Sequence, residues 1–221
     1  AEKLIAVVKT LTGTVESRPA VGQPWTAVKV GDQLPEGVDI RTGSHVEDIE
    51  SLFAEGYKAV LIAVGAHMNR RLDIPGENAD GVIDPVAYLR QINLREKVPV
   101  LGDRVGIVGG GNTAVDVART AIRKGSKEVV ILYRRTRAEM PAIEEEIEAA
   151  EEEGVRIEYL VAPTEVISEN GRMKAVRLTR MRLGERDASG RRSPLPVEGS
   201  GFLMELDSLL PAISQDPDLS F

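Results

Sequence analysis

The stretch 105-VGIVGGGNTAVDVARTAIRKGSKEVVILYRR-135 sets three glycines directly after an apolar run, follows them with a helical pattern and closes a second apolar run on two arginines. "DRVGIVGG" reads as a strand. Ala114, Val115, Ala118, Ala121 and Ile122 then recur at helical spacing until Gly125 stops them, and "KEVVILYRR" reads as a second strand. A strand, a helix and a strand within about 30 residues make a β-α-β unit, so the strands are expected to be parallel. The turn between the first strand and the helix reads G-x-G-x-x-A. Gly109 would let the chain turn out of the strand, Gly111 would let a pyrophosphate approach a backbone without Cβ, and Ala114 would let helix and strand pack closely. The phosphates would lie at the helix N-terminus, where unpaired amides and the macrodipole favour an anion. Gly109, Gly110, Gly111, Asn112, Thr113 and Ala114 are therefore the candidate phosphate loop. Asn112 reads equally as a residue that bonds within the loop.

The end of the second strand supplies the next candidates. A site selective for NAD would place a carboxylate there, on the ribose hydroxyls, but Arg134 and Arg135 occupy the position. Guanidinium groups can pair in bidentate fashion with the 2′-phosphate that a carboxylate would repel, so the expected cofactor is NADPH. The plain alternative is a solvated strand end.

Working outward, residues 1–43 carry short apolar runs broken by Gly and Pro and are expected to form a few short strands of uncertain role. In 44–102, "EDIESLFAEG" predicts a helix, "YKAVLIAVGA" a buried strand and "DPVAYLRQINL" a further helix. Within 103–206, after the β-α-β unit, "MPAIEEEIEAAEEEG" predicts a helix with Pro141 near its first turn, and "VRIEYLV" a strand. "TEVISENGRMKAVRLTRMRLGE" predicts a hairpin turning at Asn170-Gly171, and "RDASGRRSPLP" a polar loop. Residues 207–221 hold "SLLPAI", a last apolar run.

Composition narrows the function. The 221 residues are 42% apolar, enough for a core, and the formal net charge of -7 argues against duplex nucleic acid as the main partner. There is no cysteine, hence no disulfide, thiolate nucleophile or cysteine-ligated cluster from this chain, and no metal site is expected. No apolar run reaches the roughly 20 residues that span a bilayer, so no membrane partner is expected and the cytoplasm is the expected location.

Taken with "GVDIRTG", "GYKAVLIAVGAH", "LDIPGENADGV", "YRRTRAEMPAIEEEIEAAEEEGV", "RDASGRRSPLPVEGS" and "LLPAISQDPDLSF", the glycine stretch resembles the small-subunit family of glutamate synthase, FAD-dependent NADPH oxidoreductases. The resemblance runs from about Gly37 to Phe221. It implies an α/β fold of the Rossmann type, the three-layer FAD/NAD(P)-binding kind, here with a β-rich N-terminal extension. It also implies an FAD domain split in sequence, with the NADPH domain inserted at 103–206 and the chain returning at 207–221. By the same resemblance Arg134 and Arg135 would hold the 2′-phosphate with Glu145 close by, although Glu144, Glu145 and Glu146 read equally as a solvated helix face.

The implied activity is hydride transfer from NADPH to FAD, with electrons passed to a partner subunit or iron-sulfur protein. That transfer calls for binding residues and for no catalytic acid or base. The family's FAD glycine fingerprint and its closing Gly-Asp segment do not occur here, and Ser214 stands where the family has glycine. The chain is therefore expected to be a fragment, an excised piece or an unusual fusion, and by itself neither to bind FAD nor to be active. The rival reading is a nucleotide-sensing or partner-docking module without FAD.

Overall fold

The computed structural model describes residues 64–188 and 190–220, together with 4–7, 16–18, 24, 26–29, 32–35, 39–41, 48–54 and 62. They divide into two units, one from Ala1–Ala66 and Pro217–Phe221 and the other His67–Asp216. In the first, the broken apolar runs form short strands: β1 (Leu4–Val7), β2 (Glu16–Arg18), β3 (Thr26–Ala27), β4 (Gln33–Pro35) and β5 (Asp39–Arg41). Antiparallel pairing joins β1 to β4, and β2 to both β3 and β5. Helix α1 (Ile49–Ala54) lies within the stretch expected to be helical. The run 57–66, expected as a buried strand, lies mostly outside the described residues.

The second unit begins with β6 (Met68–Asn69) and α2 (Pro85–Asn93). The Oδ1 of Asp84 accepts the N–H of Ala87 at 2.8 Å, and Pro85 fills the first helical position, where a missing N–H costs nothing. The expected β-α-β unit follows as β7 (Arg104–Val108), α3 (Asn112–Arg123) and β8 (Glu128–Tyr133), then α4 (Glu144–Glu152) and β9 (Arg156–Tyr159). An antiparallel group comes next: β10 (Val161–Glu169), β11 (Arg172–Arg186), β12 (Arg192–Pro196) and β13 (Phe202–Glu205). The unit closes with β14 (Ser208–Pro211) and β15 (Gln215–Asp216).

Strands β14, β7, β8 and β9 lie in that order in a parallel sheet. Its inner strands β7 and β8 are apolar after their first residues because both faces are covered, and successive residues serve opposite faces, whereas the edge strand β9 alternates with Arg156 and Glu158. Val105, Ile107, Val129, Ile131 and Leu210 join Ala114, Val115, Ala118, Ala121 and Ile147 in a core on the helical side. Val108, Val130, Leu132 and Leu209 meet Val166, Met173, Val176 and Leu178 on the other. The result is three layers, helices over a parallel sheet over an antiparallel sheet, the Rossmann-type α/β arrangement expected. Gly106 lets the second sheet close in, since a Cβ there would stand 2.5 Å from Leu206 Cδ1.

Three local expectations change. Helix α4 starts at Glu144, not near Pro141, because the Ala142 N–H is taken by the Gly110 carbonyl and the Ile143 N–H by Asn112 Oδ1; these bonds hold 142–143 extended. The strand expected over 155–161 breaks at Leu160, whose φ of 55° turns the chain from β9 into β10. "RDASGRRSPLP" is not simply a loop: its Arg192–Pro196 pairs with β11 as a strand. The hairpin at Asn170-Gly171 forms as expected, both residues at positive φ as a two-residue loop of the I′ kind requires.

Candidate functional site

A cleft of about 510 Å³ opens at the carboxyl ends of β7, β8 and β14, the edge at which open parallel sheets take ligands. The sequence places the glycines there because they follow β7 directly. Gly109 has φ 144°, and a Cβ on it would stand 2.2 Å from the carbonyl oxygen of Ala212. A Cβ on Gly110 would meet the Tyr133 ring at 2.5 Å. Both glycines are thus demanded by the protein's own packing. Gly111 is different: it has φ -92°, which any residue adopts, and a Cβ would meet nothing nearer than Pro141 Cγ at 4.0 Å.

Gly111 is also the N-cap of α3, and with no side chain it offers no capping bond. The Ala114 and Val115 N–H groups reach the Gly111 carbonyl, which leaves those of Asn112 and Thr113 to water or a ligand, and the helix dipole makes an anion the favoured one. Gly109, Gly110, Gly111 and Thr113 all line the cleft. Ala114 does not; it is fully buried, with its Cβ 3.5 Å from where a Gly109 side chain would begin, in keeping with close helix–strand packing. Asn112 does not line the cleft either, its Oδ1 being the acceptor for Ile143.

Across the cleft, Tyr133, Arg134 and Arg135 end β8. The Tyr133 hydroxyl donates to the Glu139 carbonyl, which fixes the ring beneath Gly110. Arg134 is exposed and makes no side-chain hydrogen bond or ion pair among the described residues. Desolvation, and after it the Arg135 charge, push Arg134 below the ordinary arginine value, and an anion placed here would act in the opposite direction. Arg135 is 5% exposed; its Nη2 reaches Asp187 Oδ2 at 2.7 Å and its Nε the Arg192 carbonyl at 2.6 Å.

Glu145 is not brought to the cleft. Starting α4 at Glu144 turns Ile147 and Ala150 into the core and leaves Glu145 exposed and outside the cleft lining. The carboxylate that does meet the arginine pair is Asp187, from the stretch read as a polar loop, and the same stretch contributes Arg191 to the cleft wall. The one sequence signal for them was "RDASGRR", an acid and three arginines around a glycine. Ala212, Ile213 and Ser214 after β14, with Arg70 and Gln215, complete the wall. Chemically the cleft can hold a long polyanion, with a diphosphate over α3 and a further phosphate at the arginines.

The sequence matches the family described as pyridine nucleotide-disulphide oxidoreductase over residues 9–189. It is 42% identical over 213 residues to the NADP(+)-dependent formate dehydrogenase subunit beta of Moorella thermoacetica, an alignment covering 96% of this chain and 28% of that protein. It is 36% identical over 171 residues to the glutamate synthase [NADPH] small chain of Azospirillum brasilense, covering 72% of this chain and 35% of that one. The resemblance to the glutamate synthase small-subunit type is borne out, and the chain spans well under half the length of either relative. The solved structure of Mycobacterium tuberculosis FprA in complex with NADPH superposes with a TM-score of 0.63 at 19% identity, covering 75% of this chain and 51% of that one; this is a likeness of fold. Among the described residues no helix is long and apolar enough to cross a membrane.

Proposed function

The chain belongs to the pyridine nucleotide-disulphide oxidoreductase family, and from that premise we propose that its cleft binds NADP(H), held for hydride transfer to FAD in the whole protein and onward to a partner subunit. The observation that carries the reading is the open space at Gly111. Nothing in the chain's own packing calls for a glycine there, whereas a pyrophosphate drawn against the backbone does. The amides at the start of α3 would receive the diphosphate, with Thr113 alongside. The arginines at the end of β8 would select the cofactor that carries a 2′-phosphate.

When bound in the whole protein, NADPH would supply a hydride from its nicotinamide C4 for the reduction of FAD, and the glycine loop and cleft arginines of this chain would hold it. No side chain has to hold or move a proton for this, so the contribution of these residues is binding and orientation. The chain has no cysteine, so no disulfide of its own takes part. FAD and the partner subunit belong to the whole protein in this reading. They are supported by the family pattern and by the relatives' names, one a dehydrogenase subunit and the other a small chain.

Calorimetric titration of the chain with NADP+ and with NAD+, repeated on Arg134→Ala, tests the proposal. NADP+ should bind more than about tenfold tighter than NAD+, and the variant should lose most of that margin, worth at least about 1.4 kcal/mol. Equal affinities in the unsubstituted chain, or no binding of either nucleotide, would sink it.

A further inference from the structure

Two adjacent arginines end β8, yet their surroundings differ. Arg135 is nearly enclosed, and two donors of its guanidinium, Nη2 and Nε, are already committed to Asp187 and to the Arg192 carbonyl. Asp187 lies 2.7 Å from it, so much of its charge is neutralised on the spot. Those two partners flank residues 188–191, the last of which is Arg191. The Asp187 N–H donates to the Arg191 carbonyl at 2.7 Å, the Gly190 N–H to the Asp187 carbonyl at 2.9 Å, and the Arg191 N–H to Asp187 Oδ1 at 3.3 Å. The turn between β11 and β12 is thus closed by Asp187 and fastened to the end of β8 by Arg135, with Arg191 on the cleft wall beside Arg134.

Resting on the NADP(H) reading above, we infer that the 2′-phosphate is gripped by Arg134 and Arg191, from β8 and from the β11–β12 turn, while Arg135 is a positioning residue that fastens the turn carrying Arg191. The division follows from the chemistry. A guanidinium has five donors in one plane, and Arg135 spends at least two of them on the turn. Arg134 and Arg191 both line the cleft, one at the end of β8 and the other in the β11–β12 turn, so a phosphate at that wall would meet guanidinium groups from two elements.

The test is titration of the whole chain with NADP+ and NAD+ in five forms: unsubstituted, Arg191→Ala, Arg191→Lys, Arg135→Ala and the Arg135→Ala/Arg191→Ala double variant. Arg191→Ala should weaken NADP+ by about tenfold, the worth of a charged hydrogen bond, and leave NAD+ within about twofold. Arg191→Lys should keep part of the preference as a point charge. Because Arg135 acts through Arg191, Arg135→Ala should cost NADP+ preference in the unsubstituted chain and little more in the Arg191→Ala background. Losses that multiply would make Arg135 an independent ligand and overturn the division of roles. An unchanged NADP+ to NAD+ ratio in Arg191→Ala would overturn the inference while leaving the cofactor reading intact. No preference for NADP+ in the unsubstituted chain would overturn both. Should Arg135→Ala fail to fold, the two Arg191 variants decide alone.

Discussion

Three consecutive glycines meet three different neighbours, and the difference can be measured. Alanine at 109 would have to adopt φ near 144° with its methyl 2.2 Å from the Ala212 oxygen, so Gly109→Ala should lose at least about 2 kcal/mol of stability. At 111 the methyl has room and the backbone is ordinary. A modest loss from a poorer N-cap is offset by reduced freedom in the unfolded chain, so stability should stay within about 0.5 kcal/mol. NADP+ affinity should nevertheless fall at least about tenfold in Gly111→Ala, since the methyl would project where the phosphates are to approach. Urea midpoints and calorimetry on the two variants separate these outcomes; a Gly111→Ala protein that binds normally would remove the main support for the cofactor reading. Glycine spacing was legible in the sequence because conformational freedom belongs to the residue type. The burial of Arg135 was not, because the carboxylate that encloses it is Asp187, 52 residues on and in a different layer.

Elements were legible where one period dominates and obscure where tertiary bonds overrule it. The apolar runs of β7 and β8 and the spacing in α3 fixed strand, helix and strand. The start of α4 was hidden because Gly110 and Asn112 capture the amides of residues 142 and 143. Strand β12 was hidden because its polar, proline-containing sequence lacks a strand signal and forms only against β11. The join between β7 and β14 rests on a carboxylate that no pattern revealed. Asp207 Oδ2 accepts the N–H groups of Asp103 and Arg104 at 3.0 and 2.8 Å, and Oδ1 accepts Arg104 Nη2 at 3.0 Å. Burial alone would raise the Asp207 carboxyl, but the Arg104 backbone and guanidinium bonds outweigh it and hold the group below the usual aspartate range. A depressed folded value gives stability that is complete above the unfolded value, about 3.9, and is lost as pH falls through the lower folded value. Asp207→Asn, which keeps the shape and removes the charge, should therefore cost roughly 1 kcal/mol at neutral pH, discounted for partial exposure. The gap to the unsubstituted protein should close as the pH falls below the depressed value. Denaturant midpoints at pH 7 and in acid check this, and a gap of equal size at both would mean that the charge is not what joins the strands.

At the scale of the whole molecule, the chain enters and leaves the unit His67–Asp216 side by side. Asn69 and Met68 pair with Gln215 and Asp216, the His67 N–H donates to the Asp216 carbonyl, and the Arg70 guanidinium grips the Asp216 carboxylate with two bonds of 2.7 Å. Both buried clusters and every residue of the cleft wall lie between these two ends. Adjacent ends and a complete core are what an excisable domain needs. The piece 67–216 should therefore unfold cooperatively by itself and bind NADP+ within about threefold of the whole chain. A narrower cut at 103–206, the limits suggested by the glycine stretch and its following strands, should not fold. It discards Tyr88, Leu209 and Leu210, each at most 1% exposed, and with β14 it leaves one edge of the parallel sheet bare. Losing three such side chains removes several kcal/mol from a domain whose total stability is of order 5–15 kcal/mol. Near-ultraviolet circular dichroism and NADP+ titration of both pieces test the point. Binding by 67–216 weakened more than about tenfold would overturn the placing of the whole site within that unit.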